Sequence, residues 1–241
     1  PPPPPPPPLP RPFIFIIMRS SSSSDWGVYT STSEDVDDRT RYYDQYYSGR
    51  EGLVVLFAAG NDGPDSDTIG APGTAKNTIT VGNSQNRYSG APNTIMDGSS
   101  RGPVDDGRIK PDICAQGTNV YSTYPNYTYQ TISGTSMACP GISGVLAQLY
   151  QAYKDINSGN NPPSALMKCI LLNSADDIGN PGPDFKHGWG VVNAYRALKL
   201  LEASNYFSGS ISQSLSNTHV LNIPQSVEQV KIMIYWHDKE G

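Results

Sequence analysis

Val54-Val55-Leu56-Phe57-Ala58-Ala59-Gly60-Asn61-Asp62-Gly63 is the stretch that decides the fold class. Residues 53–58 (LVVLFA) form a continuous apolar run that breaks at Ala-Gly-Asn. A run of strand length without alternation marks a strand buried on both faces, the signature of a parallel sheet covered by helices. Residues 78–81 (TITV) read as a second such strand, and 13–18 (FIFIIM) as a third. Short strands are expected at 120–122 and 129–132 in turn-rich sequence. The longest helix is expected from Ser136 to about 154, with Gly141, Gly144 and Ala147 allowing close backbone packing. Further helices are expected at 164–175, behind Pro162 and Pro163, and at 191–203. Ser31 and Glu34 have capping-box spacing, with Val36, Tyr43 and Tyr47 following at helical intervals. Strands alternating with helices give an α/β fold with a mostly parallel sheet.

The flanks differ from this body. Residues 1–12 are almost pure proline and residues 20–24 are serine, so 1–24 is a low-complexity lead carrying one short apolar strand. Proline tracts form polyproline II but no core. The abrupt join to FIFIIM suggests an arbitrary beginning. After Asn205 the pattern becomes alternating, and 210–215, 219–223 and 230–236 read as antiparallel strands. Three strands are too few for an independent sheet domain. Residues 206–241 are therefore expected to be the incomplete start of a β-sandwich, and 25–205 the main domain.

Seventeen basic and 22 acidic residues leave a net charge of −5, with no Lys/Arg cluster to track phosphates, so nucleic acid is not an expected partner. No apolar run approaches the roughly 20 residues of a membrane helix. The three cysteines, Cys114, Cys139 and Cys169, lack metal-ligand spacing and read as small buried hydrophobes.

Two segments carry chemistry. In Ser133-Gly134-Thr135-Ser136-Met137-Ala138, small residues crowd a serine at the start of the longest helix. That placement suits a helix cap, and equally an exposed nucleophile beside free backbone N–H groups. Asn61, at the end of a buried strand beyond two alanines and a glycine, suits an uncharged oxyanion donor, or a plain Asn-Asp-Gly turn.

Six stretches, taken in order, resemble the subtilisin-like serine endopeptidases (subtilases, peptidase family S8). They are Trp26-Gly27, residues 54–63, residues 68–82 (TIGAPGTAKNTITVG), residues 99–122 with Ser-Ser-Arg-Gly-Pro and Lys-Pro-Asp, residues 133–149 (SGTSMACPGISGVLAQL), and residues 187–198 (HGWGVVNAYRAL). The resemblance implies part of a three-layer subtilisin-like fold. It implies Ser136 as nucleophile and Asn61, with the Ser136 N–H, as oxyanion hole. Ala58, Ala59, Gly60 and Gly70 would line the specificity pocket, and Trp26 and Gly27 would pair with the substrate backbone. Pro72 matches a position that is often cis. Peptide or protein substrates, secretion, and no cofactor for the chemistry follow from the same resemblance. Structural calcium is implied for many members; Asp62, Asp65 and Asp67 are candidates, with solvated loop acids as the other reading. Residues 206–241 resemble the first strands of the jelly-roll-like domain that follows the protease domain in some bacterial members.

Departures matter. Asp25 stands where serine is usual and Gln116 where proline is usual. The family's Asp-Ser/Thr-Gly and His-Gly-Thr motifs do not occur, and the only histidines, His187, His219 and His237, all follow Ser136. They read as surface or packing residues. The expectation is an endopeptidase fragment that is inactive as this chain. The alternative is a pseudoprotease that binds extended peptides. Asn126-Tyr127-Thr128 fits a glycosylation sequon.

Overall fold

A computed structural model describes residues 14–17, 25–46, 53–86 and 94–241. Four strands, β1 (Ile14–Ile17), β2 (Val54–Ala58), β3 (Ile79–Ser84) and β4 (Ile113–Gln116), form one parallel sheet in that order. The continuous apolar run of β2 has the expected cause. Val54, Leu56 and Ala58 enter the main core with α2 (Thr135–Ile156) and α3 (Ser164–Asn173), while Leu53, Val55 and Phe57 pack on the other face with Val36 of α1 (Ser31–Tyr46). The sheet thus lies between helical layers. A fourth helix, α4 (Ala194–Glu202), packs against α2 and α3. No helix among the described residues is long and apolar enough to cross a membrane.

Several expectations shift by local chemistry. The N-terminal turn of α1 is capped by Thr30, whose Oγ1 accepts from Ser33 N at 3.4 Å, so Ser31 is the first helical residue and not the cap. Strand β4 was not expected; it has only four residues and ends on exposed Gln116. The stripe of Gly141 and Gly144 on α2 faces open space, so it does not mediate packing among the described residues. The peptide bond before Pro72 is cis.

Among the described residues, apart from isolated bridges, antiparallel pairing forms one ladder, the hairpin of β5 (Val120–Tyr124) and β6 (Thr128–Ile132). Residues 206–241 form no ladder, so the three strands expected at 210–215, 219–223 and 230–236 are absent as paired elements. A strand needs a partner edge, and none of the described segments provides one here. The last stretch still alternates: Met233, Tyr235 and His237 are half-buried against the body, while Ile232, Ile234 and Trp236 are exposed. Asp238 N donates to Asn77 Oδ1 and Lys76 Nζ to Lys239 O, which straps this end onto the loop before β3.

Buried charge ties the layers together. Asp112 binds Lys110 Nζ at 2.6 Å and Lys168 Nζ at 3.1 Å, and accepts the β3 amide of Thr80 at 2.7 Å. Burial pushes the Asp112 carboxyl up, but the two ammonium groups outweigh it and hold the pKa below the ordinary carboxylate range. Burial pushes Lys110 down to about 8 against the pull of Asp112. On α1, buried Asp37 accepts from Lys76 N at 2.8 Å, Asn77 N at 2.7 Å and Tyr29 OH at 2.9 Å.

Replacing Asp112 by Ala leaves two lysines buried without a counter-charge. We expect a loss of about 3–5 kcal/mol, read as a lower urea midpoint; an unchanged midpoint refutes the ion-pair assignment. A second expectation concerns acid. Burial raises Asp184, but the His187 ring at 3.1 Å and the His187 and Lys186 amides outweigh it and lower the pKa. Its contribution is complete above the unfolded aspartate pKa of about 4 and is lost as pH falls through the lower folded value. Asp184→Asn should flatten that part of the acid limb of the stability curve, measured by thermal melts between roughly pH 2 and 5.

Candidate active site

The site forms where β2 ends and α2 begins. Past Ala58 the chain leaves the sheet through Ala59 and Gly60 and turns outward at Asn61, which is exposed. Gly60 has φ +110°, a conformation that disfavours any Cβ, and a Cβ there would meet Ser100 Oγ at 2.6 Å. On the other side, Gly134 precedes α2 with an extended backbone and gives the helix no side-chain cap. Ser136 therefore sits in the first turn, half-buried, with its N–H beyond the reach of any intrahelical carbonyl. The helix N-terminus favours negative charge there.

Thr135 joins the two halves. Its N–H donates to Asn61 Oδ1 at 3.0 Å, and its hydroxyl lies 3.2 Å from the same oxygen. That hydroxyl also accepts from Gly60 N at 3.3 Å and lies 3.2 Å from Gly60 O. Because the Asn61 oxygen is engaged, the free end of the amide is its NH₂ group. A point one Cβ out from Gly134 lies 3.4 Å from both Ser136 Oγ and Asn61 Oδ1, and 3.7 Å from Asn61 Nδ2. The Ser136 hydroxyl and the Asn61 amide thus border one small space that a side chain at 134 would fill. Sequence reasoning named Ser136 and Asn61 but gave no role to Thr135 or Ser100. Ser100 N donates to Gly60 O at 3.0 Å and its Oγ accepts from Asp62 N at 3.1 Å. Both contacts span a long stretch of chain, and no local spacing announces them.

The remaining candidates are placed as follows. Ala58 is part of the main core, and Ala59 packs with Ile69 and Val104. Gly70 is buried and forms an antiparallel bridge with Trp26. The two backbone groups of Gly27 are taken, its N–H by Ile69 O and its C=O by Asp105 N. No hydrogen bond engages the Trp26 N–H or C=O among the described residues. Asp62, Asp65 and Asp67 do not converge, and no group of three or more His, Cys, Asp or Glu side chains does so among the described residues. Asp67 instead approaches Asp105 beside Gly27, and burial followed by that second carboxylate raises its pKa. Burial raises the thiol pKa of Cys139 to about 12, which suits packing and not nucleophilic attack. None of the histidines completes the site: His187 is bound to Asp184, His219 lies 4.8 Å from the Phe207 ring, and His237 Nε2 lies 3.2 Å from Ser164 Oγ.

The family model for subtilases (peptidase S8) matches residues 14–190. Serine protease AprX of Bacillus subtilis is 37% identical over 177 residues, covering 67% of this chain and 38% of the relative. Pyrolysin of Pyrococcus furiosus is 33% identical over 200 residues, 70% of this chain and 14% of the relative. Among solved structures, the prenylagaramide maturation protease PagA superposes with a TM-score of 0.52 at 26% identity, over 62% of this chain and 50% of that one. The CspB protease of Clostridium perfringens gives 0.50 at 33% identity, over 57% of this chain and 29% of that one. The chain spans less than half the length of the two curated relatives.

Gly60→Ala tests the geometry of the strand end. The strained φ and the contact with Ser100 should cost about 1–3 kcal/mol, lowering Tm by several degrees; a neutral outcome would show that the turn relaxes freely.

Proposed function

Because this chain belongs to the subtilase family of serine proteases, we propose that it carries the nucleophile and oxyanion half of a peptide-bond hydrolase centred on Ser136. The observation that carries the reading is the shared space bordered by Ser136 Oγ and the Asn61 amide, whose oxygen is engaged by Thr135 N–H and whose NH₂ group is left as the available donor. Ser136 Oγ attacks the carbonyl carbon of the scissile bond. The carbonyl oxygen takes up negative charge and accepts from Asn61 Nδ2 and from the Ser136 N–H. Collapse expels the amine, which takes up the proton given up by Ser136, and leaves an acyl ester on Ser136, which water then hydrolyses. The free N–H and C=O of Trp26 pair with the substrate backbone as an added strand. Gly60 and Gly70, flanked by Ala58 and Ala59, leave room for the side chain before the scissile bond.

The step needs a base to take the serine proton, and the histidines of this sequence are engaged elsewhere. In our reading the intact enzyme brings its histidine and aspartate from outside residues 1–241, acts on peptides or unfolded proteins, and works outside the cell. Residues 206–241 begin a β-sandwich domain of that longer protein. Calcium, where present, stabilises the fold and takes no part in the chemistry. The absent Asp and His motifs equally favour a second reading, a pseudoprotease that binds extended peptides without turnover.

The test is a fluorophosphonate probe on the purified chain, beside casein hydrolysis. Without a base, only about 10³–10⁴-fold of rate over water should remain, the residue left in triad-depleted subtilisin, a relative of this protein. We expect slow labelling that disappears in Ser136→Ala, and no casein turnover at ordinary protease rates. Labelling that persists in Ser136→Ala would remove the nucleophile assignment, and brisk turnover would remove the missing-base argument.

A further inference from the structure

The β5–β6 ribbon is rooted beside Ser136, and its residues are exposed except Val120. Its base is pinned by Asn119 N donating to Ser133 Oγ at 2.9 Å and by Gly134 N donating to Gly117 O at 2.9 Å. Ser136 follows two residues after Gly134. From that base the ribbon projects into solvent: every residue of β6 is exposed, and so is every residue of β5 except Val120. Both strands have an unpaired outer edge among the described residues, where the sheet has two strands. Pro125, Asn126 (φ 64°) and Tyr127 (φ 58°) close it as a three-residue connection, the last two in the left-handed region. A two-stranded ribbon without a covered face is marginal alone.

One face of the ribbon is a platform. Tyr121, Thr123, Tyr129 and Thr131 share it by register, and the Tyr121 and Tyr129 rings stack at 5.5 Å between centroids. The two tyrosines are 69% and 59% exposed. No Asp, Glu, Lys, Arg or His occurs between Asp112 and Lys154. The platform therefore has no charge of its own with which to select phosphates, anionic lipids or a charged peptide. It offers stacking surface, hydroxyls and free strand edges, which suit an uncharged backbone read without regard to sequence.

Position supplies the occupant. Trp26 follows β1 in the chain, Asn61 follows β2 and the ribbon follows β4, in a sheet ordered β1-β2-β3-β4. The ribbon is rooted beside Ser136 through Gly117 and Gly134, whereas Trp26 bridges Gly70 in the connection between β2 and β3, so the two surfaces meet the Ser136 junction through different residues. Resting on the peptidase reading above, we propose that the β5–β6 ribbon is a docking arm for unfolded polypeptide substrate, holding the portion C-terminal to the scissile bond. Tyr129 pairs three residues above the Val120–Ile132 base pair, a rise of roughly 10 Å at about 3.4 Å per residue. Substrate residues about three or more beyond the scissile bond reach it, so long unfolded chains benefit and short peptides do not.

The experiment compares two probes on the full chain. Fluorescein-labelled β-casein is a long unfolded polypeptide. A peptidyl boronic acid ends at Ser136 and occupies only the Trp26 side. Tyr121→Ala with Tyr129→Ala should weaken casein binding, read by anisotropy, about tenfold and leave boronate affinity unchanged. The paired Tyr→Phe variant keeps the stack and should bind casein like the parent. Unchanged casein affinity in the alanine variant overturns the proposal. So does an equal loss for both probes, which would mean a disturbed site. Binding of cello-oligosaccharides in place of casein overturns it in favour of a carbohydrate platform. If the parent binds neither probe, the peptidase reading fails first, independently of the tyrosines.

Discussion

The site depends on the hydrogen bond from Thr135 N–H to the amide oxygen of Asn61. An asparagine side chain is symmetric in shape and opposite in character at its two ends. Which end faces the nucleophile decides whether the site stabilises an anion or repels it. The first-turn amide of α2 has no carbonyl of its own, and it takes the Asn61 oxygen, so the NH₂ end is left outward. The Thr135 hydroxyl adds a second tether through Gly60. The end of β2 and the beginning of α2 are thereby fixed to each other, and Ser136 inherits its position from that junction. The ribbon shares the junction from the other side, through Gly134 and Ser133.

The junction is useful only if the layers behind it stay in register, and the buried charges of Asp112 serve that purpose. One carboxylate faces two lysines with near-total burial on all three. Lys110 lies just before β4, Thr80 is in β3 and Lys168 is in α3, so a single carboxylate joins two strands and a helix. The excess positive charge is spread over carbonyls: Lys168 Nζ donates to Thr78 O at 2.7 Å, and the Tyr235 ring lies 5.0 Å from it. Hydrophobic packing tolerates small slips of a sheet against a helix. A buried ion pair with one set of partners does not, because each slipped arrangement leaves an unpaired charge.

Much of this was legible in the sequence where burial is two-sided or chemistry is local. The run at 53–58 names a central strand because both faces must be apolar, and β2 fills both cores as that requires. That Ser136 lies in the first turn of a helix and Asn61 just past a strand was legible, because small residues mark both ends. Thr135 and Ser100 were not, because their partners lie across the fold. Strand β4 is too short to make a period, and the α1 cap moved one residue because Thr30 competes with Ser31 for the same role. The strands expected after 205 illustrate the converse. Their alternation is real, and at Met233, Tyr235 and His237 it survives as alternate burial, yet alternation specifies only a face, and a strand also needs an edge to pair with.

What remains is the separation of binding from turnover within one chain. Oriented donors stabilise charge only as it develops, and charge develops only if the serine proton leaves. A neutral hydroxyl at Ser136 needs an acceptor within hydrogen-bond reach. His187 cannot swing to it: the ring lies under Gly179, where even a Cβ would approach Cε1 to 2.5 Å, and Asp184 holds Nδ1 at 3.1 Å. His219 and His237 belong to the tail after α4, against Phe207 and Ser164. The oxyanion geometry and the substrate edge are therefore independent of the base. In the proposed reading they would serve as a recognition surface for an extended backbone, and hydrolysis would require one further group, a base with a pKa near the working pH and access to Ser136 Oγ.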